Sequence, residues 1–209
     1  MAAKKANKVK KGKRPADLGD RIIDAALLMA EADGWESVRL RRVAEGLGIS
    51  LADVQARFQD LDAVADAWFA RANAAMLASR GRRFAALAPH ERIKDLMQSW
   101  FDALAPHHRA GAQMLAAKLY APHPHHWVPL IFTLSRTVQW LRDAAGLDAR
   151  GRRRQVEEVG LSALFLAAIA VWSRDDSPGQ ERTRKFLDSR LSQADRVMGC
   201  LWPSRDHNA

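Results

Sequence analysis

Apolar residues recur at spacings of three and four through most of the chain, and each such run predicts a helix. Over residues 20–32, Ile22, Ile23, Ala26, Leu27 and Ala30 share one helical face, and Gly34-Trp35 closes the run. Residues 40–47 repeat the pattern with Leu40, Val43, Ala44 and Leu47. Gly48 accepts the positive φ that a helix C-terminus favours, and Ser50 suits the N-cap of a third helix over 51–58. That third helix is too short to be stable alone and must be held by its neighbours. Two short helices about a glycine turn, with small Ala44 at their crossing, form a helix-turn-helix, a DNA-reading arrangement.

The remaining pattern predicts a second, larger helical unit. A long helix runs over 62–84, and others over 90–104, 110–119, 129–146, 156–172 and 180–201, with a proline-rich loop from Tyr120 and a polar arginine-rich segment over 148–154. No strand-forming alternation occurs, so the fold class is all-α: a three-helix helix-turn-helix domain followed by a larger helical-bundle domain. The helix over 156–172 is apolar nearly all round, which suits burial on several sides. Its most apolar part, residues 159–172, is about 14 residues and too short to span a bilayer. In the last helix Leu187, Leu191, Ala194, Met198 and Leu201 form a heptad-like seam that wants a partner helix. These two C-terminal helices are the expected homodimer contact, since helix-turn-helix readers use paired half-sites.

Charge divides the chain unevenly. Lys4, Lys5, Lys8, Lys10, Lys11, Lys13 and Arg14 carry most of the formal net charge of +9, with no acidic residue among them. Residues 1–16 therefore read as a disordered basic arm, able to lie in a minor groove, attract anionic lipid or simply aid solubility. Residues 17–64, the expected DNA-binding domain, hold ten acidic residues and five arginines, an unfavourable balance for meeting a polyanion. The bundle covers 65–202, with a tail over 203–209. A single cysteine excludes an intramolecular disulfide framework and fits a reducing cytoplasm; beside Leu201 and Trp202, Cys200 is expected to be a small buried residue. The N-terminal charges lead into no apolar segment, so no signal peptide is expected and the chain reads as cytoplasmic.

Three groups of side chains bear on chemistry. Met97, Trp100, Phe101, Met114, Trp127, Phe132, Trp140 and Phe165, with Trp172, form an aromatic and thioether set fit for core filling or for a cavity that takes an apolar or aromatic ligand. His107, His108, His123, His125 and His126 cluster around the proline-rich loop. Their spacing lacks the i, i+4 convergence of metal ligands and no cysteine lies near, so a solvated loop is expected and no metal site or cofactor. No nucleophile stands beside an oriented base, so no enzyme is expected.

The helix-turn-helix residues also carry a family resemblance. Gly34-Trp35, Val43-Ala44, Gly48-Ile49-Ser50, Phe58 and a helix starting near Asp62 resemble the N-terminal domain of TetR-type transcriptional regulators, without a gap over residues 21–69. The resemblance implies an all-α homodimer whose helical bundle is the ligand-binding and dimerisation domain, and which binds a double-stranded DNA operator and is released, as a repressor, by a small apolar or aromatic effector in that domain. On the reading helix Gln55 would pair with adenine, Arg57 with guanine or phosphate and Asp53 with cytosine, with Ser50, Leu51, Ala52 and Ala56 on the same face. Arg39, Arg41 and Arg42 would hold backbone phosphates. The chain departs from the family at Val54-Gln55, where Leu-Tyr is usual, at Leu61, where Lys is usual, and at Arg39, where Thr usually opens helix 2. Two phosphate anchors are thereby missing.

A second resemblance lies in the other half. Asp176-Ser177-Pro178, Thr183, Phe186-Leu187 and Arg190, with Trp140 near Ala145-Gly146, look like a TetR-fold accessory family of ubiquinone biosynthesis. That resemblance implies an isoprenoid-lipid carrier that has lost DNA binding and serves a partner hydroxylase at a membrane. The same Ser177-Pro178 pair also suits the start of the last helix. The gapless helix-turn-helix match and the basic arm favour the regulator.

Overall fold

The computed structural model describes residues 17–118 and 124–202, with the backbone alone for 124–132. Among these residues ten α-helices follow one another: α1 (Leu18–Asp33), α2 (Leu40–Leu47), α3 (Leu51–Gln55), α4 (Leu61–Met76), α5 (Arg82–Ala85), α6 (Pro89–Leu104), α7 (His108–Lys118), α8 (Pro124–Ala144), α9 (Gly151–Trp172) and α10 (Glu181–Leu201). No strand occurs among the described residues. The basic arm, His123 and the tail lie outside them, as do the side chains of Trp127, Phe132, His125 and His126.

The first three helices form for the reasons their sequence suggests. α1 buries Ile22, Ile23, Ala26, Leu27 and Ala30 against α2 and α4, and Gly34 at φ 88° ends it. α4 then leaves this unit and runs across the bundle, packing on α1 at one side and most extensively on α6 at the other. Arg71 of α4 donates to Asp20 at 2.8 Å and to Asp24 at 2.5 Å, both on α1. A second tie comes from α7, where Gln113 Oε1 accepts the Trp35 N–H at 2.7 Å and the Ala110 N–H donates to Glu31 Oε1 at 3.0 Å. The reading unit is thus bolted to the bundle through α4 and α7.

Several boundaries differ from the periodicity, each for a local reason. α3 ends at Gln55 because the N–H groups of Arg57 and Phe58 both turn back on the Val54 carbonyl. α4 stops at Met76 rather than near Phe84, because Arg80 docks on α6, donating to Asp95 and Ser99 at 2.7 Å each. The last four residues of the arginine-rich segment, 151–154, are the first turn of α9, stabilised by Arg153–Glu157 and Arg154–Glu158 pairs one helical turn apart. At 22 residues α9 has the length and apolarity to cross a membrane, which the count over 159–172 missed. Here it lays Leu161, Phe165, Ala168, Ile169 and Trp172 into the core. α8 likewise begins at Pro124, five residues early.

The corner between α9 and α10 is built on Asp175, and Ser177 Oγ accepts the Arg182 N–H in the first turn of α10 at 3.1 Å. Pro178–Gln180 is a separate 3-10 turn, and left-handed Gly179 and Gln180 divide it from α10. In α10 the heptad seam splits: Leu187 and Leu191 are buried against α6 and α9, whereas Leu201 is exposed. Cys200, expected inside, is exposed, because α10 buries nothing beyond Leu191.

The core is richest in rings where α6 and α9 meet. Trp100 stands edge-on to both Phe101 and Phe165, each at 5.1 Å between centroids, and Phe101 leads on to Trp172 at 5.8 Å. Gly111 of α7 lets Trp68 and Trp172 converge: a Cβ there would lie 2.7 Å from the Trp68 ring and 3.0 Å from that of Trp172. Arg142 of α8, itself buried, bridges to Glu157 at 2.9 Å and Glu158 at 3.3 Å on α9.

Candidate nucleic-acid interface and effector cavity

The turn between α2 and α3 is a sequence-encoded joint. Gly48 sits in the left-handed region at φ 66°, and its N–H meets the Ala44 and Glu45 carbonyls. Ser50 and Asp53 then form a reciprocal capping box. The Asp53 N–H donates to Ser50 Oγ at 3.1 Å, while the Ser50 N–H and hydroxyl donate to Asp53 Oδ2 at 3.0 and 2.6 Å. The hydroxyl and the amide of Ser50 together hold the Asp53 carboxyl below its ordinary range. Asp53 is therefore occupied as a cap, with one carboxylate oxygen already engaged by Ser50.

On the outer face Leu51, Ala52, Gln55, Ala56 and Arg57 are all exposed, and Val54 alone turns inward. Leu51 is 52% exposed, a large apolar side chain held out to solvent on a helix too short to need it there. A depression of about 570 Å³ lies beside it, bounded by Arg39, Arg41, Gln55, Phe58 and Gln59. The arginines are engaged locally. Arg39 donates to the Glu36 and Val38 carbonyls at 2.7 and 2.9 Å, Arg41 pairs with Glu45, Arg42 with Asp33 at 3.7 Å and Arg57 with Asp17 at 3.9 Å. Exposed pairs of this kind contribute about 0–1 kcal/mol, so they can be exchanged for phosphate.

The second site is a cavity of about 160 Å³ enclosed by α4, α6, α7, α8 and α9. Of the aromatic and thioether set, Trp100 and Phe165 line it; Phe69, stacked on Trp100 at 6.2 Å and 5°, completes the aromatic wall. Met97, Phe101, Met114 and Trp172 are wholly buried and fill the core instead. Trp140 does neither: it is 59% exposed, because α8 turns Leu134, Val138 and Leu141 inward and Trp140 outward.

Polar groups stand in the cavity wall. Lys118, only 9% exposed, reaches Asp66 of α4 at 2.8 Å. Trp100 Nε1 donates to Asn73 Oδ1 at 2.8 Å, and the Thr137 hydroxyl donates to the Thr133 carbonyl at 3.1 Å. Sequence reading missed Lys118, Asp66, Asn73 and Thr137. One signal was available: Lys118 continues the buried stripe of Met114 and Leu115 on α7, where a lysine is out of place.

A third feature is an apolar surface on α9 and α10. Val156, Val159, Leu166, Val197 and Leu201 are exposed, Val159 at 72%. Between the two helices and the start of α6 runs a groove of about 450 Å³, floored by Leu161, Leu164 and Leu191 and rimmed by Arg153, Glu157 and Arg190. Of the histidines, His108 donates from Nε2 to the Trp172 carbonyl at 2.7 Å and stacks edge-on to that ring. No cluster of metal-ligating side chains occurs among the described residues.

Comparison with known proteins bears on the fold and the family. The chain is similar to a solved TetR transcriptional regulator from Nitrosomonas europaea ATCC 19718, at 36% identity and a TM-score of 0.77, over 87% of this chain and 99% of that one. A transcriptional regulator from Rhodococcus sp. Rha1 shares the fold at 18% identity and a TM-score of 0.59, over 86% of this chain and 97% of that one. A TetR family regulator from Thermus thermophilus shares it at 20% identity and a TM-score of 0.53, over 83% and 98%. The family model COQ9 matches residues 153–198, the span of α9 and most of α10. No curated protein matches the chain.

Proposed function

The chain belongs to the TetR family of transcriptional regulators, and from that premise we propose that it is a dimeric, cytoplasmic repressor that leaves its operator when a small effector fills the cavity beside α4. The observation that carries this reading is the continuity of α4, which starts at the reading unit, is pinned to α1 by Arg71 and lines the cavity with Asp66, Phe69 and Asn73. A ligand that favours a different position of α4 would alter the spacing of two reading heads, and its differential affinity for the two states would set the response.

On the DNA side Gln55 and Arg57 are the base-reading candidates, with Ser50, Leu51 and Ala52 at the same surface; Arg39, Arg41 and Arg42 are the phosphate contacts. Asp53 serves chiefly to hold the start of α3. The dimer forms through α9 and α10, whose exposed valines and leucines make a patch that a soluble monomer would rarely leave open. The basic arm adds phosphate contacts, offsetting the acidic surface of residues 17–64.

The COQ9 match favours a second reading, an isoprenoid-lipid carrier that has lost DNA binding. Gln55 and Leu61, where the family usually has Tyr and Lys, point the same way. The cavity beside α4, at about 160 Å³, is the size of the roughly 150 Å³ engineered cavity that binds benzene, so on that reading an isoprenoid tail would take the groove of about 450 Å³ on α9 and α10 instead. Fluorescence anisotropy on the duplex upstream of the protein's own gene separates the two. A regulator prefers that duplex over a scrambled one by about 100-fold or more at physiological salt. Equal binding that disappears as salt rises would leave the carrier reading.

A further inference from the structure

Resting on that regulator reading, we propose that the effector is a small single-ring carboxylic acid, and that its carboxylate acts by taking Lys118 away from Asp66. The cavity's size, wall and charge each point to this class. Its volume of about 160 Å³ suits one ring with a short substituent. Phe69, Trp100 and Phe165 supply an aromatic lining, with Phe69 parallel to Trp100 and Phe165 edge-on to it. Because Trp100 occupies Asn73 Oδ1, the Asn73 amide N–H groups remain as neutral donors for a carboxylate oxygen.

The ammonium of Lys118 decides the charge. A buried cation requires an anion, and its partner here is Asp66 at 2.8 Å. The two ends of this pair are unequally placed: the Lys118 side chain is almost enclosed, whereas that of Asp66 is well exposed. A ligand carboxylate can therefore replace Asp66 at Lys118 while Asp66 returns to water at small cost. A neutral ligand of the same shape cannot make this exchange, and a ligand cation is repelled.

The exchange reaches DNA binding because Asp66 belongs to α4. Asp66 lies five residues from the start of α4, whose N-cap Asp60 accepts the Ala63 N–H at 2.7 Å, and Arg71 further along the helix grips α1. Breaking Lys118–Asp66 removes the ion pair between α4 and α7, while the packing of α4 on α6 and its attachment to the reading unit remain. The helix thereby loses one tie on its bundle side and none on its reading side.

Isothermal titration of the full-length chain with benzoate, benzamide and 2-naphthoate tests the assignment. Benzoate should saturate, with neutral benzamide and two-ring naphthoate each weaker by about tenfold or more. Lys118→Met should erase the preference for benzoate over benzamide, Lys118→Arg should retain it, and Asp66→Asn should tighten benzoate binding severalfold. Asp66→Asn leaves the enclosed Lys118 ammonium without its carboxylate, so melting curves establish that it and the two Lys118 variants are folded at the titration temperature. Equal affinity for benzoate and benzamide, absence of saturable binding, or an Asp66→Asn variant that binds benzoate no tighter would overturn the proposal. Anisotropy on the upstream duplex, with and without benzoate, keeps the two readings apart. Duplex preference without benzoate binding refutes the ligand class alone. Benzoate binding without duplex preference refutes the regulator and leaves the ligand class standing.

Discussion

The buried carboxylate of Asp175 accepts both the backbone N–H of Thr183 at 2.7 Å and its hydroxyl at 2.6 Å, joining the end of α9 to the first turn of α10. Its other oxygen takes the Ser177 N–H at 3.1 Å and the Ser177 hydroxyl. Burial pushes this carboxyl up, but the hydrogen bonds from Ser177 and Thr183 outweigh it and hold the group at about 2.

That depression predicts an acid-labile corner. A carboxyl whose folded pKa lies below its unfolded value stabilises the fold fully above about pH 4, and this contribution is lost as pH falls towards 2. The shift corresponds to about 2 kcal/mol. Urea melts between pH 2 and 6 should show wild type losing stability over that window, with Asp175→Asn less stable above pH 4 and flatter across it.

Gly111 predicts a packing limit. Alanine there would press on the Trp68 and Trp172 rings and force them apart. Gly111→Ala should lower stability by about 1–3 kcal/mol, read as a lower Tm. Trp68 lies on α4, so the same substitution should weaken operator binding beyond what unfolding explains.

Arg142 predicts a second loss of stability. Its guanidinium is enclosed between α8 and α9 with Glu157, which is also nearly buried. Arg142→Ala removes the enclosed partner of Glu157 and leaves only the more exposed Arg153, at 3.1 Å, so it should cost up to about 3 kcal/mol. Replacing Arg142 with Met and Glu157 with Gln together should recover much of it, measured by denaturant midpoint at constant slope.

The exposed valines predict the assembly. Val159→Asp with Val197→Asp places charge in the centre of the α9–α10 surface and should convert a dimer to a monomer in analytical ultracentrifugation. An unchanged sedimentation coefficient would move the dimer contact elsewhere.

Reading-helix variants divide by role. Gln55→Ala should weaken the specific duplex by about 1–3 kcal/mol and relax sequence preference, whereas Arg41→Ala should weaken all duplexes alike. Removing residues 1–14 should flatten the salt dependence of binding without changing the preferred sequence.

Local chemistry made the reading unit legible in the sequence: an apolar stripe on α1, a glycine that must be left-handed and a serine that must cap. Those signals act within a few residues, so Gly48 and Ser50 carried them without tertiary help. The bundle was legible as helices but not at its corners. Arg80 ends α4 by reaching 15 residues onward to Asp95, and Asp175 builds its corner with Thr183 eight residues away. The cavity was half legible. Aromatic composition pointed to Trp100 and Phe165, but equally to Trp140, because the rotation of α8 decides which ring faces inward. Lys118 and Asp66 belong to different helices, and only their meeting gives either a role.

Paired reading of duplex DNA is decided by footprinting the full-length protein on the DNA upstream of its own gene. Two protected half-sites related by a two-fold axis are expected, their centres a whole number of helical turns apart, roughly 10–10.5 base pairs or a multiple. Protection should appear at the concentration that saturates anisotropy and disappear with Gln55→Ala. Uniform weak protection along the duplex, unchanged by Gln55→Ala and lost at physiological salt, would contradict it.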